Sequence, residues 1–276
     1  MATTYWSEVA PGVLRHVGAP VDVNCVLVLG EDRALVVDTG SSAIEGQRLH
    51  EEVGALAGAR PQLVVNTHAH YDHCFGNSAF EGCEIWASRG CVADLAATGP
   101  QQREDVATWW RSREPRFARA LEMTPILPAC GVVDSRQSLD LGGLVAELQV
   151  VGRGHTDHDL VVWLPGRSLL IAGDLVEESG APQLEDSYPL GWADRIDELL
   201  QLRPSVIVPG HGAPVDPLFV RSQSRAWRRL AAWCARHRGE VVVGRPPRGW
   251  TQDSARVALR RALIEAGDEV GSAGPD

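Results

Sequence analysis

The sequence predicts a mixed fold of helices and strands, in the α/β or α+β class, built around one large core. Short apolar runs rich in β-branched residues, such as VNCVLVL at 23–29, alternate with longer segments whose apolar residues recur at helical spacing, such as 42–57. The 276 residues are 44% hydrophobic and 22% charged, and this length allows one domain or two. We expect one domain with a C-terminal extension.

The first half of the chain begins with a predicted hairpin. The polar turn at 30–33 joins two apolar strands. The helix that follows has Ser41 or Ser42 as its N-cap, because a serine hydroxyl accepts a hydrogen bond from a free amide of the first turn. In order, the predicted elements are strands at 23–29 and 34–37, a helix at 42–57, strands at 63–65 and 84–87, and a helix at 88–97.

The second half repeats this alternation of strands and helices. Its predicted elements are strands at 144–151, 160–164 and 169–171, a helix at 192–202 and a strand at 206–208. Between the halves, the segment 101–124 predicts a helix broken near Pro115, since proline lacks the amide that a helix interior requires.

The segment beyond residue 215 predicts two further helices. Val220, Trp227 and Leu230 recur at helical spacing, with arginines on the other faces. We expect one helix to about residue 237 and another at 254–266, and these either cover the core or form a homodimer interface. The predicted division is therefore 1–215 for the main domain, 216–270 for a helical extension packed on it, and 271–276 for a disordered tail.

A dense cluster of histidines follows the strand at 63–65. The sequence QLVVNTHAHYDHC contains His68, His70, Asp72 and His73. Alternate residues of an extended segment share one face, so His68 and His70 can bind one ion, but all four can converge only if the chain bends at 69–72. Gathering imidazoles and carboxylates at this density is costly without a cation. The motif therefore predicts a site for metal ions, and for two of them.

Three later strands each deliver a histidine or an aspartate at the carboxyl end. His155 follows LQVVGRG, Asp174 follows SLLIAG, and His211 follows SVIVPG. Each occurrence alone is a weak signal, because a single His or Asp after a strand is more often a turn or cap residue. All three in this order after the HxHxDH motif form a much stronger signal.

With these residues the chain resembles the metallo-beta-lactamase superfamily of hydrolases over roughly residues 10–215. The resemblance implies an α+β fold, an αββα sandwich of two mixed β-sheets flanked by helices, with the ligands at one edge. It also implies two metal sites with a shared ligand: one is held by His68, His70 and His155, the other by Asp72, His73 and His211, and Asp174 bridges both.

The resemblance extends to residues around the ligands. Asp38 in ALVVDTG matches an aspartate that steadies the HxHxDH loop in the family, and it can also cap the helix at 42–57. The segment between the halves often overhangs the metals in this superfamily. Trp109, Trp110 and Phe117 therefore either line the substrate pocket or pack the helix onto the sandwich.

The implied metal set suggests a hydrolase. Two cations about 3.5 to 4 Å apart polarise a shared water, so we expect a metal-bridging hydroxide to attack a small carbonyl substrate, either a thioester, a lactone, an ester or a β-lactam. Asp72 is the candidate catalytic residue, which accepts the hydroxide proton and passes it to the leaving group. Imidazole and carboxylate ligands suit zinc, iron or manganese, and we expect two zinc ions.

Departures from known subfamilies bear on the substrate. The ligand set is shared with glyoxalase II-type thioesterases, whose basic glutathione-binding residues have no clear counterpart here, and with lactonases, which often have Tyr where this chain has Glu177. The β-lactamases with a cysteine ligand are excluded, because Asp174 holds the bridging position. The nearest resemblance is to a broad bacterial group of metallo-hydrolases with DHCFGN and AGDLVEESGAP, in which Glu177, Glu178 and Trp192 are expected to shape the pocket.

Two other classes of function remain open. A mononuclear iron persulfide dioxygenase of the same superfamily uses a reduced ligand set, and the intact Asp72, His73 and His211 count against it. A nuclease on the same scaffold is opposed by the acidic balance of the chain, and a non-catalytic binding protein is opposed by the unbroken metal set.

Composition limits the partners and the compartment. The formal net charge of −10 argues against a surface that neutralises nucleic-acid phosphates. No run reaches the roughly 18 apolar residues of a membrane span, and MATTYWSEVAPG has neither region of a secretory signal. We expect a cytoplasmic enzyme with a small-molecule substrate and no nucleic-acid or membrane partner.

Two residues near the motifs have open roles. The six cysteines form no CxxC pair and are expected to be mostly free thiols, among which Cys74 is either a small buried filler or a neighbour of the metals. His158 in GHTDHD either contacts substrate or caps the following strand.

Overall fold

The computed structural model describes residues 6–58, 62–180, 182–238 and 244–267. Within these ranges the strands are β1 (Trp6–Ala10), β2 (Val13–Gly18), β3 (Val23–Leu29), β4 (Ala34–Val37), β5 (Gln62–Val65), β6 (Glu84–Ser88), β7 (Gly131–Val133), β8 (Arg136–Asp140), β9 (Val145–Gly152), β10 (Asp159–Leu164), β11 (Leu169–Glu177) and β12 (Val206–His211). The helices are α1 (Ala43–Ala57), α2 (Tyr71–Cys74), α3 (Arg89–Trp110), α4 (Pro115–Glu122), α5 (Trp192–Leu200), α6 (Pro217–Arg236) and α7 (Gln252–Glu265).

The hydrogen-bonded strands are continuous and divide into two sheets, which pack face to face and are joined edge to edge by one ladder pair. The first sheet has the order β7-β6-β5-β4-β3-β2-β1, and the second has the order β8-β9-β10-β11-β12. β3 and β12 connect them through Val23 and His211. Parallel neighbours are joined through helices, with α1 between β4 and β5 and α5 between β11 and β12, because a parallel pair needs a long crossover.

Alternating side chains place each sheet between the other sheet and a layer of helices. In β3, Cys25 and Leu27 pack in the core cluster that includes α1 and α3, whereas Val26 and Val28 pack in the cluster between the sheets. β11 alternates in the same way, with Leu170 on the side of α5 and α6. This alternation follows from the two-residue period of a strand. The predicted αββα sandwich is confirmed.

Helices α6 and α7 share a core with the second sheet. The rings of Trp192 in α5 and Trp227 in α6 stack with centroids 3.8 Å apart, and both side chains are buried. Ala258 and Leu259 of α7 belong to the same cluster. In the described part of the chain, no helix combines the length and apolarity that a membrane crossing requires. The boundary after residue 215 stays a prediction, and the predicted disordered tail at 271–276 lies outside the described residues.

Some elements differ from those predicted. Strands β1, β2, β7 and β8 were missed, because they lie toward the sheet edges and β1 and β2 mix polar and apolar residues. The helix expected to end at residue 97 continues through Pro100 to Trp110. The expected break near Pro115 is confirmed, since α4 begins there with proline in its first turn.

Strands β11 and β12 extend further than predicted. The expected strand ended at residue 171, but the pairing with β12 continues as far as Glu177, which lies opposite His211. Gly173, beyond the predicted strand end, adopts a φ of 53° at an irregularity in the ladder. Asp174 and His211 therefore lie inside strands, near the ends, and not in the loops that follow.

Candidate metal centre

The HxHxDH motif lies where a strand gives way to a helix. After β5 ends, the loop carries His68 and His70, and α2 begins at Tyr71, so the chain bends within the segment that the motif required. The bend brings His73 back toward the loop, and its ring lies 4.2 Å from the ring of His68, centroid to centroid. Asp72 and His73 are both buried on this first turn.

Asp38 holds this loop in place through hydrogen bonds. Its carboxylate accepts hydrogen bonds from the Thr67 amide, from Thr67 Oγ1 and from His73 Nδ1, each at 2.8 Å. Thr67 Oγ1 also lies 3.0 Å from His68 Nδ1. Ser42 is the N-cap of α1, so Asp38 supports the loop, and the alternative that it caps the helix is wrong.

The second sheet supplies the other three polar residues. Asp174 comes from β11, His211 ends β12, and His155 lies in the loop between β9 and β10. Asp159 holds that loop, because its Oδ2 accepts from the His155 amide at 2.7 Å and from the Thr156 amide at 3.0 Å. The hydrogen bond that the His155 amide donates to Asp159 therefore fixes the position of His155.

The seven side chains form two adjacent groups in which the possible ligand atoms all lie within 4.8 Å of one another: His68, His70, His155 and Asp174 in one, and Asp72, His73 and His211 in the other. Asp174 lies between the groups. Its Oδ2 is 3.6 Å from Nε2 of both His155 and His211, and its Oδ1 is 3.2 Å from Nε2 of His73. Gly210 leaves room for this carboxylate, since a Cβ there would collide with Oδ1.

Two more histidines are each oriented by a contact of one of their ring nitrogens. His70 Nε2 lies 2.9 Å from Asp186 Oδ2, and His211 Nδ1 lies 3.1 Å from the carbonyl oxygen of Val21. Their other ring nitrogens face the centre, where His70 Nδ1 is 3.0 Å from His155 Nε2. Such hydrogen bonds fix the tautomer and the orientation of an imidazole ligand.

The charges at the centre shift the pKa values of its members. Burial acts to lower the pKa of His73, but Asp174 and Asp38 raise it well above its ordinary value. Burial acts to raise the pKa of Asp174, yet His73 and the other imidazoles hold it well below. Burial lowers the pKa of His155 to about 4. The carboxylates therefore favour a positive charge on His73, whereas burial favours the neutral form of His155.

Three buried atoms at the centre make no hydrogen bond to a described residue: His68 Nε2, His73 Nε2 and Asp174 Oδ1. The last two form an ion pair at 3.2 Å without a hydrogen bond. Unpaired buried polar atoms are costly. The 3.0 Å between His70 Nδ1 and His155 Nε2 is also near the spacing of about 3.3 Å that two nitrogen ligands of one tetrahedral zinc adopt. The unpaired atoms and the spacing of these residues therefore fit the binding of metal ions.

A cavity of about 700 Å³ opens over the centre. Trp109 and Trp110 of α3 form part of one wall, which settles their role in favour of the pocket, although Trp110 also packs on the core. Phe117 does not line this cavity. It packs against the ring of Trp110, with centroids 5.1 Å apart, and lines a separate surface cavity.

The three residues expected to shape the pocket have different positions. Glu177 lines the cavity, and burial together with Asp174 raises its pKa well above the ordinary value. Glu178 points away, with Oε2 accepting from the Ala213 amide at 2.9 Å. Trp192 is buried below the surface and contacts the His155 ring, with centroids 5.5 Å apart. β11 ends at Glu177, and Glu178 in the bend that follows is held by its hydrogen bond to the Ala213 amide instead of lining the cavity.

The two residues with open roles are structural. His158 Nε2 accepts from the Ala69 amide at 3.2 Å, so it supports the loop between His68 and His70 and neither lines the cavity nor caps β10. Cys74 is completely buried, and its thiol donates to the His70 carbonyl at 3.1 Å. It is the small buried filler of the two alternatives.

A family model described as the metallo-beta-lactamase superfamily matches residues 18–211, which is most of the chain and spans all seven residues of the centre. The chain belongs to the metallo-beta-lactamase superfamily. The resemblance inferred from the motifs is therefore confirmed.

Individual relatives agree with this membership. The chain is 28% identical over 197 residues to a type 2 metallo-beta-lactamase of Bacillus cereus, over 69% of this chain and 67% of that protein. It is 29% identical over 166 residues to an acyl-coenzyme A thioesterase of Gallus gallus, over 55% of this chain and 57% of that protein. The fold is similar to a metallo-beta-lactamase from Pontibacter korlensis, with a TM-score of 0.62 and 19% identity over 80% of this chain and 98% of that one.

These relatives are hydrolases, and the chain is an enzyme of that class. Three residues that support the centre were not predicted from the sequence. Thr67 precedes His68 directly, and Asp159 follows His155 by four residues, so their nearness to the ligands was a usable signal. Asp186 has no such signal, because it meets His70 only through the folding of a distant loop.

Proposed function

We propose that this chain is a binuclear metal-dependent hydrolase of a small carbonyl substrate. The observation that carries the proposal is the pair of adjacent ligand groups with Asp174 between them. One group alone would serve a single metal. Two complete groups that share a carboxylate favour a pair of ions, and nitrogen and oxygen ligands without sulfur are compatible with zinc.

The proposed ligands divide as the geometry suggests. His68, His70 and His155 would hold one ion, and Asp72, His73 and His211 the other, with Asp174 shared. When bound, two zinc ions supply a water of lowered pKa and stabilise the charge that develops on a carbonyl oxygen under attack.

The residues of the chain contribute orientation and proton transfer. Asp38, Thr67 and Asp186 hold three imidazoles by their outer nitrogens, so the inner nitrogens keep one geometry. The Asp72 carboxylate lines the cavity, with Oδ2 3.2 Å from His211 Nε2. In this proposal Asp72 accepts the proton of the attacking water and returns it to the leaving group.

The size of the cavity supports a small molecule as the substrate. A volume of about 700 Å³ lies within the range of small-molecule sites, and one wall is aromatic. The relatives include β-lactamases and an acyl-coenzyme A thioesterase, so β-lactams, thioesters, lactones and simple esters form the panel of candidate substrates.

Metal content and hydrolysis test the proposal together. Protein purified without added metal is analysed by elemental mass spectrometry and assayed on the four ester and lactam classes. We expect about two zinc ions per chain and turnover of at least one substrate class. In Asp174→Asn we expect both the zinc content and the turnover to be lost. Asp134→Asn removes an exposed carboxylate that pairs with Arg89, and serves as the control. About one iron per chain with oxygen uptake on persulfides would replace the proposal by the dioxygenase alternative.

A further inference from the structure

Glu177 is a buried acidic residue that lines the cavity and has one carboxylate oxygen without a hydrogen bond. It is 8% exposed, lies three residues beyond Asp174 in β11, and lines the cavity over the centre. Its Oε1 makes no hydrogen bond to any described residue, although its backbone carbonyl accepts from Gln223 Nε2 at 3.1 Å. Burial and Asp174 disfavour the ionised form of this carboxyl group, and an oxygen without a donor is costly, so the position favours a ligand that brings a positive or hydrogen-donating group.

Apart from the proposed metal ligands, the rest of the lining adds four carboxylates, and its basic members, His70 and His211, belong to the proposed metal centre. Asp22, Asp94, Glu185 and Asp186 also line the cavity, whereas no arginine is among its described lining residues. The chain contains no lysine at all. Asp186 is paired with His70, but the other three add to the negative potential around Glu177. A cleft lined by one sign of charge concentrates ligands of the opposite sign.

The wall formed by α3 and α2 carries aromatic and apolar side chains beside its polar ones. Tyr71, Val106, Trp109 and Trp110 line it, and Trp109 is 53% exposed. The guanidinium carbon of Arg113 already lies 3.9 Å above the Trp109 ring, so this wall binds a cation within the protein itself. Aromatic faces attract ammonium and guanidinium groups, and attract their methylated forms in the same way.

We propose that the cavity selects a cationic carbonyl substrate, an ester or thioester whose acyl chain ends in an ammonium or guanidinium group held by Glu177, and that it discriminates against acyl chains ending in carboxylate or phosphate. This substrate class rests on the proposed hydrolase function. The metal ions would act at the scissile carbonyl, whereas Glu177 and the carboxylates of the wall would act on the charged end of the acyl chain. Glu177 lies opposite His211 in the sheet, so its substitution can also change the rate of cleavage, and the ratio between substrates is therefore the quantity that reports selectivity.

A charge series of thioesters tests this selectivity. The metal-loaded enzyme is assayed on N-acetylcysteamine thioesters of 4-(trimethylammonio)butanoate, of its uncharged isostere 5,5-dimethylhexanoate, and of glutarate. We expect kcat/KM for the cationic member to exceed that of the neutral member by about tenfold, as for a charge-assisted contact in a partly buried site. The anionic member should be the poorest. A neutral or anionic member equal to or better than the cationic one would overturn the proposal.

Matched variants assign the selectivity to Glu177. Glu177→Gln keeps the shape and removes the charge, and we expect it to reduce the cationic-to-neutral ratio about tenfold. Glu178→Gln removes the next carboxylate along the chain, which bonds the Ala213 amide outside the cavity, and should leave the ratio unchanged. If Glu177→Gln does not fold, Asp94→Asn at the opposite wall should lower the same ratio. An unchanged ratio in the folded variant rules out the assignment.

Binding measurements separate failure of this inference from failure of the proposed hydrolase. If no thioester is cleaved, isothermal calorimetry is carried out with the corresponding N-propyl amides. Tighter binding of the cationic amide, lost in Glu177→Gln, supports the selectivity even though the hydrolase proposal has failed. Equal binding of the three amides, or no binding of any, overturns the selectivity. Cleavage without charge preference leaves the hydrolase standing and removes only the inference.

Discussion

Removal of the Asp186 carboxylate should weaken metal binding without unfolding the protein. Asp186 Oδ2 accepts from His70 Nε2 at 2.9 Å, which leaves His70 Nδ1 facing the centre. The hydrogen bond lowers the pKa of Asp186 despite the opposing effect of burial, and it raises the pKa of His70 to about 9 against the effect of burial. Asp186→Ala removes both the charge and the acceptor, whereas Asp186→Asn retains an acceptor oxygen.

The exposure of Asp186 sets the expected size of this effect. Mutation of a residue that supports a metal-ligating histidine costs about 10- to 100-fold in metal affinity. The Asp186 side chain is 50% exposed, so water can replace part of the lost hydrogen bond, and the lower end of that range applies. We expect Asp186→Ala to weaken zinc binding about tenfold, or about 1.4 kcal/mol. Asp186→Asn should lose less than Asp186→Ala.

Competition with a chelator measures the zinc affinity of these variants. A third variant tests whether α7 contributes to the same affinity. Arg261 donates from Nε to the Ser187 carbonyl and from Nη2 to the Asp186 carbonyl, each at 2.9 Å, so Arg261→Met should also weaken zinc binding. Glu185→Gln changes the neighbouring carboxylate, whose Oε2 accepts from the Leu184 amide, and is the control. Zinc affinity that is the same in wild type and Asp186→Ala, with both proteins folded by circular dichroism, would refute the reasoning.

Three further predictions concern stability, each measured by urea denaturation. Asp38→Asn should lower the free energy of unfolding by about 1 to 3 kcal/mol, because an amide cannot accept at both oxygens from Thr67 and His73. Trp227→Ala should lower it by about 3 to 5 kcal/mol, because a large, completely buried ring is lost. Burial raises the pKa of Glu45 from 4.5 to about 7, so the folded state retains a proton that the unfolded state loses. Stability should therefore fall as pH rises from about 4.5 to about 7, by up to about 3 kcal/mol, and Glu45→Gln should remove this dependence.

Each of these predictions has a contrary result. Wild-type stability in Asp38→Asn would mean that water takes over its hydrogen bonds. A loss below about 1 kcal/mol in Trp227→Ala would mean that α6 repacks around the vacated space. For Glu45, a pH dependence that persists in Glu45→Gln would assign the titration to another group, and a slope of opposite sign would show a carboxyl of lowered pKa.

The sequence predicted most of the candidate centre because its residues follow local rules. A two-residue period separates His68 from His70, and the apolar strands that carry Asp174 and His211 were readable as runs of β-branched residues. Where the local rules were ambiguous, the boundaries were wrong. The strand at 169–171 was predicted to end before Gly173, but pairing between β11 and β12 continues past this residue, because a neighbouring strand can stabilise an irregular one.

Contacts between distant segments could not be predicted in this way. His70 and Asp186 are 116 positions apart, and no periodicity relates them. The environment of Glu177 is equally non-local, since the lining of the cavity comes from both halves of the chain. The edge strands β1 and β2 were missed for a related reason, because their stability comes from pairing with β3 more than from their own composition.

The C-terminal helices reach the centre by two routes, and neither is visible in their own sequence. Arg261 holds the loop that carries Asp186, which in turn orients His70. Trp227 stacks on Trp192, whose ring contacts the ring of His155. Both routes end on a proposed ligand of the same ion. Because a shift of a supporting residue is passed to the ligand through direct contact, the packing of α6 and α7 contributes to the geometry of metal binding as well as to the stability of the core.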